Sequence, residues 1–273
     1  MTNYYKIICS LLAVAFLSSC TEIIDIDINS SEPEIVVEAT VPINEAAKVL
    51  VTKSIDLDAT NTFTNVQNAV VTITDNEGNS EILTENMPGI YSGLSITGKV
   101  GATYHLSVKT ENKNITSDCT IPELVAIDSI SVLNSIYPGG GRPMSDNQSA
   151  DFYEINVTYS DPADRPNYYR IVLFLNGVPL GGNNVYDDRF TNGNQVTNTL
   201  IVYNPLIKNG DKIMIEMQCI DKAVFDYFDS LGNSAMGPRN SSSPANPYTN
   251  LTGGLLGFFS AHTVQRKEYT ITK

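Results

Sequence analysis

Tryptophan is absent from this 273-residue chain and histidine occurs only twice, at His105 and His262. Without tryptophan, any platform that stacks sugars has to be built from the 14 tyrosines or nine phenylalanines. Neither histidine has a His or Cys at metal-ligand spacing, and no Gly-x-Ser-x-Gly elbow occurs, so the chain shows no catalytic or metal-binding constellation and implies no cofactor. Basic residues are scarce too, 17 Lys and Arg against 30 Asp and Glu, for a net charge of -13. Nucleic-acid binding requires a basic footprint, which this balance excludes. No apolar run after Cys20 reaches the roughly 18 residues of a membrane-spanning helix.

The one long apolar run is at the start. Met1-Thr2-Asn3-Tyr4-Tyr5-Lys6 precedes an apolar stretch from Ile7 to Leu17, closed by Leu17-Ser18-Ser19-Cys20. One lysine, a short apolar core and small residues make the layout of a secretory signal. Leu-Ser-Ser-Cys is also a lipobox, in which Cys20 is acylated and becomes the first residue of the mature chain; the alternative is an ordinary secretion signal with an incidental cysteine. Residues 1–19 therefore read as a lipoprotein signal peptide and residues 20–33 as a lipidated tether with an acidic, alternating segment from Glu22 to Asp27. The Asp25-Ile26-Asp27-Ile28-Asn29 spacing resembles a calcium loop, but Ser30 and Val36 stand where its Gly and Glu belong.

Removal of the signal leaves about 254 residues, enough for two domains. It also leaves two cysteines free to pair. Cys119 shares a strand face with Ile115 and Ile121, and Cys219 shares one with Ile213, Ile215 and Met217. Both read as core thiols of different domains, which argues against a disulfide.

From residue 34 to 122 the pattern is period two with frequent turns, the signature of a β-sandwich. Ile35 to Val41, Lys48 to Lys53, Ala69 to Thr74 and Ala102 to Val108 are strands, and Asp75-Asn76-Glu77-Gly78-Asn79 is a hairpin turn. His105 falls on a polar face with Ser107 and Lys109. Residues 123–273 form a second β-rich domain with long loops. Tyr137 to Ala150 is a loop whose glycines lack the Lys-Ser/Thr of a phosphate site. Tyr168 to Leu175 is apolar on both faces, so it should be a covered strand. Residues 181–194 read as a polar loop in which Asp187 and Asp188 are solvated. A short helix is expected near 222–231, capped by Asp221 and stopped by Gly232, with Val224, Phe228 and Leu231 on one stripe; the Phe225-Asp226-Tyr227-Phe228 cluster is expected to pack on the core, the alternative being a docking face. Residues 232–250 form a second long loop. The fold class is thus all-β, two sandwich-like domains with one short helix in the second.

Several of these pieces carry a resemblance. Cys20 with its acidic segment, Ile35-Val36-Val37-Glu38, Asn68 to Ile73, Gly89-Ile90-Tyr91, Gly101 to Leu106, Asn246-Pro247 to Asn250 and Gly257-Phe258-Phe259 resemble the outer-membrane lipoproteins of the domain-of-unknown-function family numbered 4249. The chain departs from that pattern in reading Leu-Gly-Phe-Phe where Gly-Tyr/Phe-Phe-Gly is expected. The resemblance implies an immunoglobulin-like first domain, a lipid anchor at Cys20 in the cell outer membrane, and association with a TonB-dependent nutrient transporter. The expected function is a non-enzymatic accessory or ligand-capture lipoprotein that uses the loops 181–194 and 232–250. The alternative is a structural or adhesive envelope lipoprotein with no small-molecule ligand.

Overall fold

The fold is organised by one 15-residue strand that the chain reaches last, β17 (Leu256–Thr270). The computed structural model describes residues 33–55, 63–136, 151–203, 207–235, 246–253 and 255–272. Residues 1–32, with the expected signal peptide, Cys20 and all but the last residue of the expected tether, lie outside the described residues, as do residues 137–150, expected as a Gly-rich loop, and residues 236–245 of the second expected loop.

The described chain is all-β with a single helix. In the first half, β1 (Ile35–Pro42), β2 (Ala46–Lys53), β3 (Thr64–Asn65), β4 (Val70–Asp75), β5 (Ser80–Ile82), β6 (Thr84–Met87), β7 (Ile90–Thr97), β8 (Thr103–Lys109) and β9 (Asn114–Thr120) follow one another. The alternation predicted from sequence is the alternation of burial: Val37, Ala39 and Val41 are inaccessible while Glu38 between them is exposed. The predicted hairpin turn joins β4 to β5, with the Asp75 carboxylate accepting from the Glu77 and Asn79 amides at 3.0 and 2.9 Å.

The second half adds β10 (Ile127–Ile136), β11 (Asp151–Ser160), β12 (Tyr168–Leu175), β13 (Val178–Leu180), β14 (Val185–Asp187), β15 (Gln195–Tyr203), β16 (Lys212–Ile220), helix α1 (Lys222–Ala235) and β17. The strands form a four-stranded sheet β5-β4-β8-β9, a three-stranded sheet β10-β11-β15, and one long sheet β13-β12-β16-β17-β1-β2-β7-β6 with β3 and β14 paired at its borders. Each smaller sheet packs on part of the long one. The first core holds Val71, Leu106 and Ile115 against Val37, Val49 and Tyr91; the second holds Ile155, Val157 and Leu200 against Ile171, Ile215 and Met217. Each such fully buried side chain contributes about 1.5–3 kcal/mol relative to exposure.

The chain passes from the first core to the second between Ile121 and Val125, but it does not stay there. Ile220, the apolar face of α1 and the first half of β17 return to the first core. Residues 256–262 of β17 pair in parallel with β1, and residues 263–270 pair antiparallel with β16, so one strand is shared by both sandwiches. The parallel start requires Gly257: its φ is +106°, and a β-carbon there would lie 2.0 Å from the Val37 carbonyl oxygen.

Two boundaries differ from expectation. Gly232 does not stop α1, which continues to Ala235; one glycine costs a helix only about 1 kcal/mol, which the packing of Val224, Tyr227 and Phe228 outweighs. Within the expected loop 181–194, Val185–Asp187 is a strand, recruited because β12 has an open edge at Tyr168 to Arg170. Cys119 and Cys219 are free, buried and in separate cores.

Candidate functional site

Two buried carboxylates give the loop after β14 its shape. Asp161 accepts hydrogen bonds from the Tyr169 hydroxyl and, at 3.1 Å, from the Gly193 amide. Burial, and then the Asp161 carboxylate, push the Tyr169 phenol well above its ordinary range, so it stays a donor. Asp188 accepts from the Asn167 amide at 2.8 Å, while its carbonyl accepts from the Thr191 and Asn192 amides at 2.9 and 2.8 Å. Neither acid is solvated as expected from the sequence: Asp188 is buried, and Asp187, paired with Arg189, is largely covered too. The loop is a built feature held by charge-assisted bonds.

Helix α1 stands beside this loop. Asp221 caps it, its Oδ1 accepting from the Val224 amide at 2.9 Å, and Oδ2 receives the Cys119 thiol at 3.1 Å. Burial first, and Asp221 next, raise the Cys119 thiol far above the usual thiol range, which keeps it a packed donor and not a nucleophile. Phe225 leans on Tyr168 with ring centroids 5.3 Å apart, and Tyr227 and Phe228 pack on Phe258. The aromatic cluster of the helix packs on the first core together with Val224 and Leu231, as expected.

Between the start of α1 and the loop lies an open cleft of about 330 Å³, lined by Tyr168, Asp187, Asp188, Arg189, Lys222, Phe225 and Asp226. A neighbouring hollow of about 250 Å³ shares Asp187, Arg189 and Phe225 and adds Tyr159, Tyr186 and Asn198. The charges here are internally matched. Lys222 donates to both oxygens of Asp226 at 2.6 and 2.8 Å, and Arg189 pairs with Asp187. These partners raise the pKa of both cations, which stay charged. Phe190, which follows Arg189 in the loop, is 89% exposed, and Tyr248 is 73% exposed. The Tyr248 amide donates to Ser230 Oγ at 2.9 Å, and a β-carbon on Gly232 would lie 3.6 Å from Asn183, so both loops named from the sequence flank this helix.

A second polar feature crosses the long sheet. Glu216 accepts from Arg266 Nε and Gln218 Nε2, both at 2.6 Å, and Arg266 reaches Glu45 of the β1–β2 connection at 2.7 Å. Arg170, its guanidinium 4.0 Å above the Phe228 ring, donates to Gln218 at 3.3 Å. This chain of contacts ties one sandwich to the other and is structural.

The remaining predicted residues are scattered. His105 is exposed and pairs with Asp118 across β8 and β9 at 2.8 Å, a partner that only register supplies. His262 is buried in β17 beside Ser260 Oγ at 3.0 Å. Among the described residues, no group of three His, Cys, Asp or Glu side chains is placed to hold a metal ion. The late Asn246-Pro247 to Asn250 segment acts on β17: Asn250 donates to the Phe259 carbonyl at 2.7 Å and accepts from its amide at 3.0 Å, as a strand neighbour would. Thr249 Oγ1 donates to the Gly257 carbonyl at 2.7 Å. Sequence reading missed Arg170, whose signal was a single cation inside the apolar run of β12.

A family model described as "Domain of unknown function (DUF4249)" matches residues 21–268. No curated protein matches the chain.

Proposed function

The chain belongs to the DUF4249 family, and from that premise we propose that it is a non-enzymatic lipoprotein, anchored through Cys20 in the outer membrane, that docks on a TonB-dependent nutrient transporter as an accessory or capture subunit. The observation that carries the anchoring is Leu17-Ser18-Ser19-Cys20 behind a short apolar run. Several acyl chains on one residue give stable attachment where a single chain binds only marginally.

The docking part of the reading is supported by the cleft beside α1. Large aromatic side chains left exposed on well-held loops are contact residues in waiting, and Phe190 and Tyr248 are of that kind. The paired charges around Arg189 and Lys222 suit a polar rim around such anchors.

Purification of the C-terminally tagged protein from native membranes in mild detergent tests this reading. A co-eluting barrel-sized transporter is expected, lost with Cys20→Ala and reduced at least several-fold with Phe190→Asp combined with Tyr248→Ser. Recovery of the protein alone, or only with copies of itself, would refute the transporter reading in favour of a structural or adhesive envelope role.

A further inference from the structure

The cleft of about 330 Å³ beside α1 and the hollow of about 250 Å³ next to it adjoin across Asp187, Arg189 and Phe225, which line both. Together they fall within the size range of small-molecule sites. Their charges are paired but not exhausted. Arg189 spends Nε and Nη2 on Asp187, and Lys222 spans both oxygens of Asp226. A guanidinium and an ammonium carry more N–H donors than those bonds use, and each Asp226 oxygen keeps a lone pair. Both cations are also open to solvent, their side chains 68% and 65% exposed. Thr191 and Asn198 add an alcohol and an amide to the inner hollow, and Phe225 and Tyr168, with ring centroids 5.3 Å apart, supply the apolar part of the lining.

This mixture selects among ligands. A charged ligand would have to separate an ion pair that is already made, and an anion would also meet the field of a chain with a net charge of -13. A hydroxyl is donor and acceptor at once and rotates to suit its surroundings. It can therefore give to a carboxylate and accept from the neighbouring cation while the pair stays intact. A rigid ring that carries several hydroxyls, with apolar C–H groups between them, matches two ion pairs set about aromatic side chains.

We infer that the cleft and the hollow together bind a neutral oligosaccharide, whose hydroxyls bridge the Asp187–Arg189 and Lys222–Asp226 pairs and whose C–H groups pack on Phe225 and Tyr168. This deepens the capture half of the reading above and rests on it only for the delivery of the sugar to a transporter. Binding itself needs neither the anchor at Cys20 nor a partner.

The test uses the whole chain carrying Cys20→Ala, free of detergent, on an array of neutral α- and β-linked gluco-, manno-, galacto- and xylo-oligosaccharides beside oligouronates, followed by calorimetric titration of the best neutral binder. Saturable binding of a neutral oligosaccharide is expected, with oligouronates at least about tenfold weaker. Arg189→Ala, which removes a group common to both hollows, should weaken it roughly ten- to hundredfold, the worth of a hydrogen bond to a charged group. Asp187→Asn, which keeps the shape, should weaken it several-fold, and Lys99→Ala on the first sandwich should change nothing, with circular dichroism confirming that each variant is folded. No saturable binding on the array, oligouronates bound as tightly as neutral sugars, or an unchanged affinity in folded Arg189→Ala and Asp187→Asn would overturn the assignment. Loss of the transporter from the membrane purification would refute docking and leave these sugar affinities where they are.

Discussion

Replacing His262 with asparagine should remove a specific part of the pH dependence of stability. His262 is 3% exposed, on β17 where the two sandwiches share the strand. Burial lowers its pKa from the ordinary 6.5 to about 4, against the attraction of Glu216 and Glu45 and with the repulsion of Arg170. The unfolded chain therefore binds this proton more readily than the folded one, so stability is full above pH 6.5 and is lost as the pH falls towards 4. Each pKa unit corresponds to about 1.4 kcal/mol. Linkage then gives a loss of about 2 kcal/mol by pH 5 and about 3 kcal/mol by pH 4 from this one group. Urea denaturation followed by circular dichroism, at steps from pH 7.5 to 4, measures it. The difference between wild type and His262→Asn should shrink by those amounts as the pH falls, because carboxylates that titrate in both proteins cancel. Curves that stay parallel would refute the reasoning.

Other perturbations follow from single contacts. Gly257→Ala should cost at least about 4 kcal/mol in the same assay, since it adds a positive-φ penalty to a 2.0 Å approach to the Val37 carbonyl and forces β1 from β17. Asp221→Ala removes the cap of α1 and the acceptor for Cys119, and should lower stability by about 1–2 kcal/mol, with Asp221→Asn recovering much of it. Mass spectrometry of the unreduced protein should find Cys119 and Cys219 as thiols; a peptide cross-linking them would contradict the separation of the two cores. Asn250→Ala should destabilise by about 1–3 kcal/mol, because the amide and carbonyl of Phe259 both lose their partner.

Local patterning was enough to identify an all-β chain, to place a strand at Ile35 to Val41 and the hairpin at Asp75, to cap the helix at Asp221 and to put Cys119 and Cys219 on inward faces, because each of these depends on residues within one turn or one strand. The apolar segment and Leu-Ser-Ser-Cys are likewise legible without a fold. Long-range pairing is not. That β17 would start in the first core, parallel to β1, before it enters the second rests on a ladder across more than two hundred residues, and no local propensity encodes it. The same holds for Asp118 beside His105, for Asp188 under Asn167 and for Glu45 joined to Arg266, where register and sheet order choose the partners. Tyr153 shows the division most clearly. Alternation places its ring inward, but only tertiary packing decides that its buried hydroxyl is left without a partner, since the partner a buried polar group finds depends on the space that packing leaves around it.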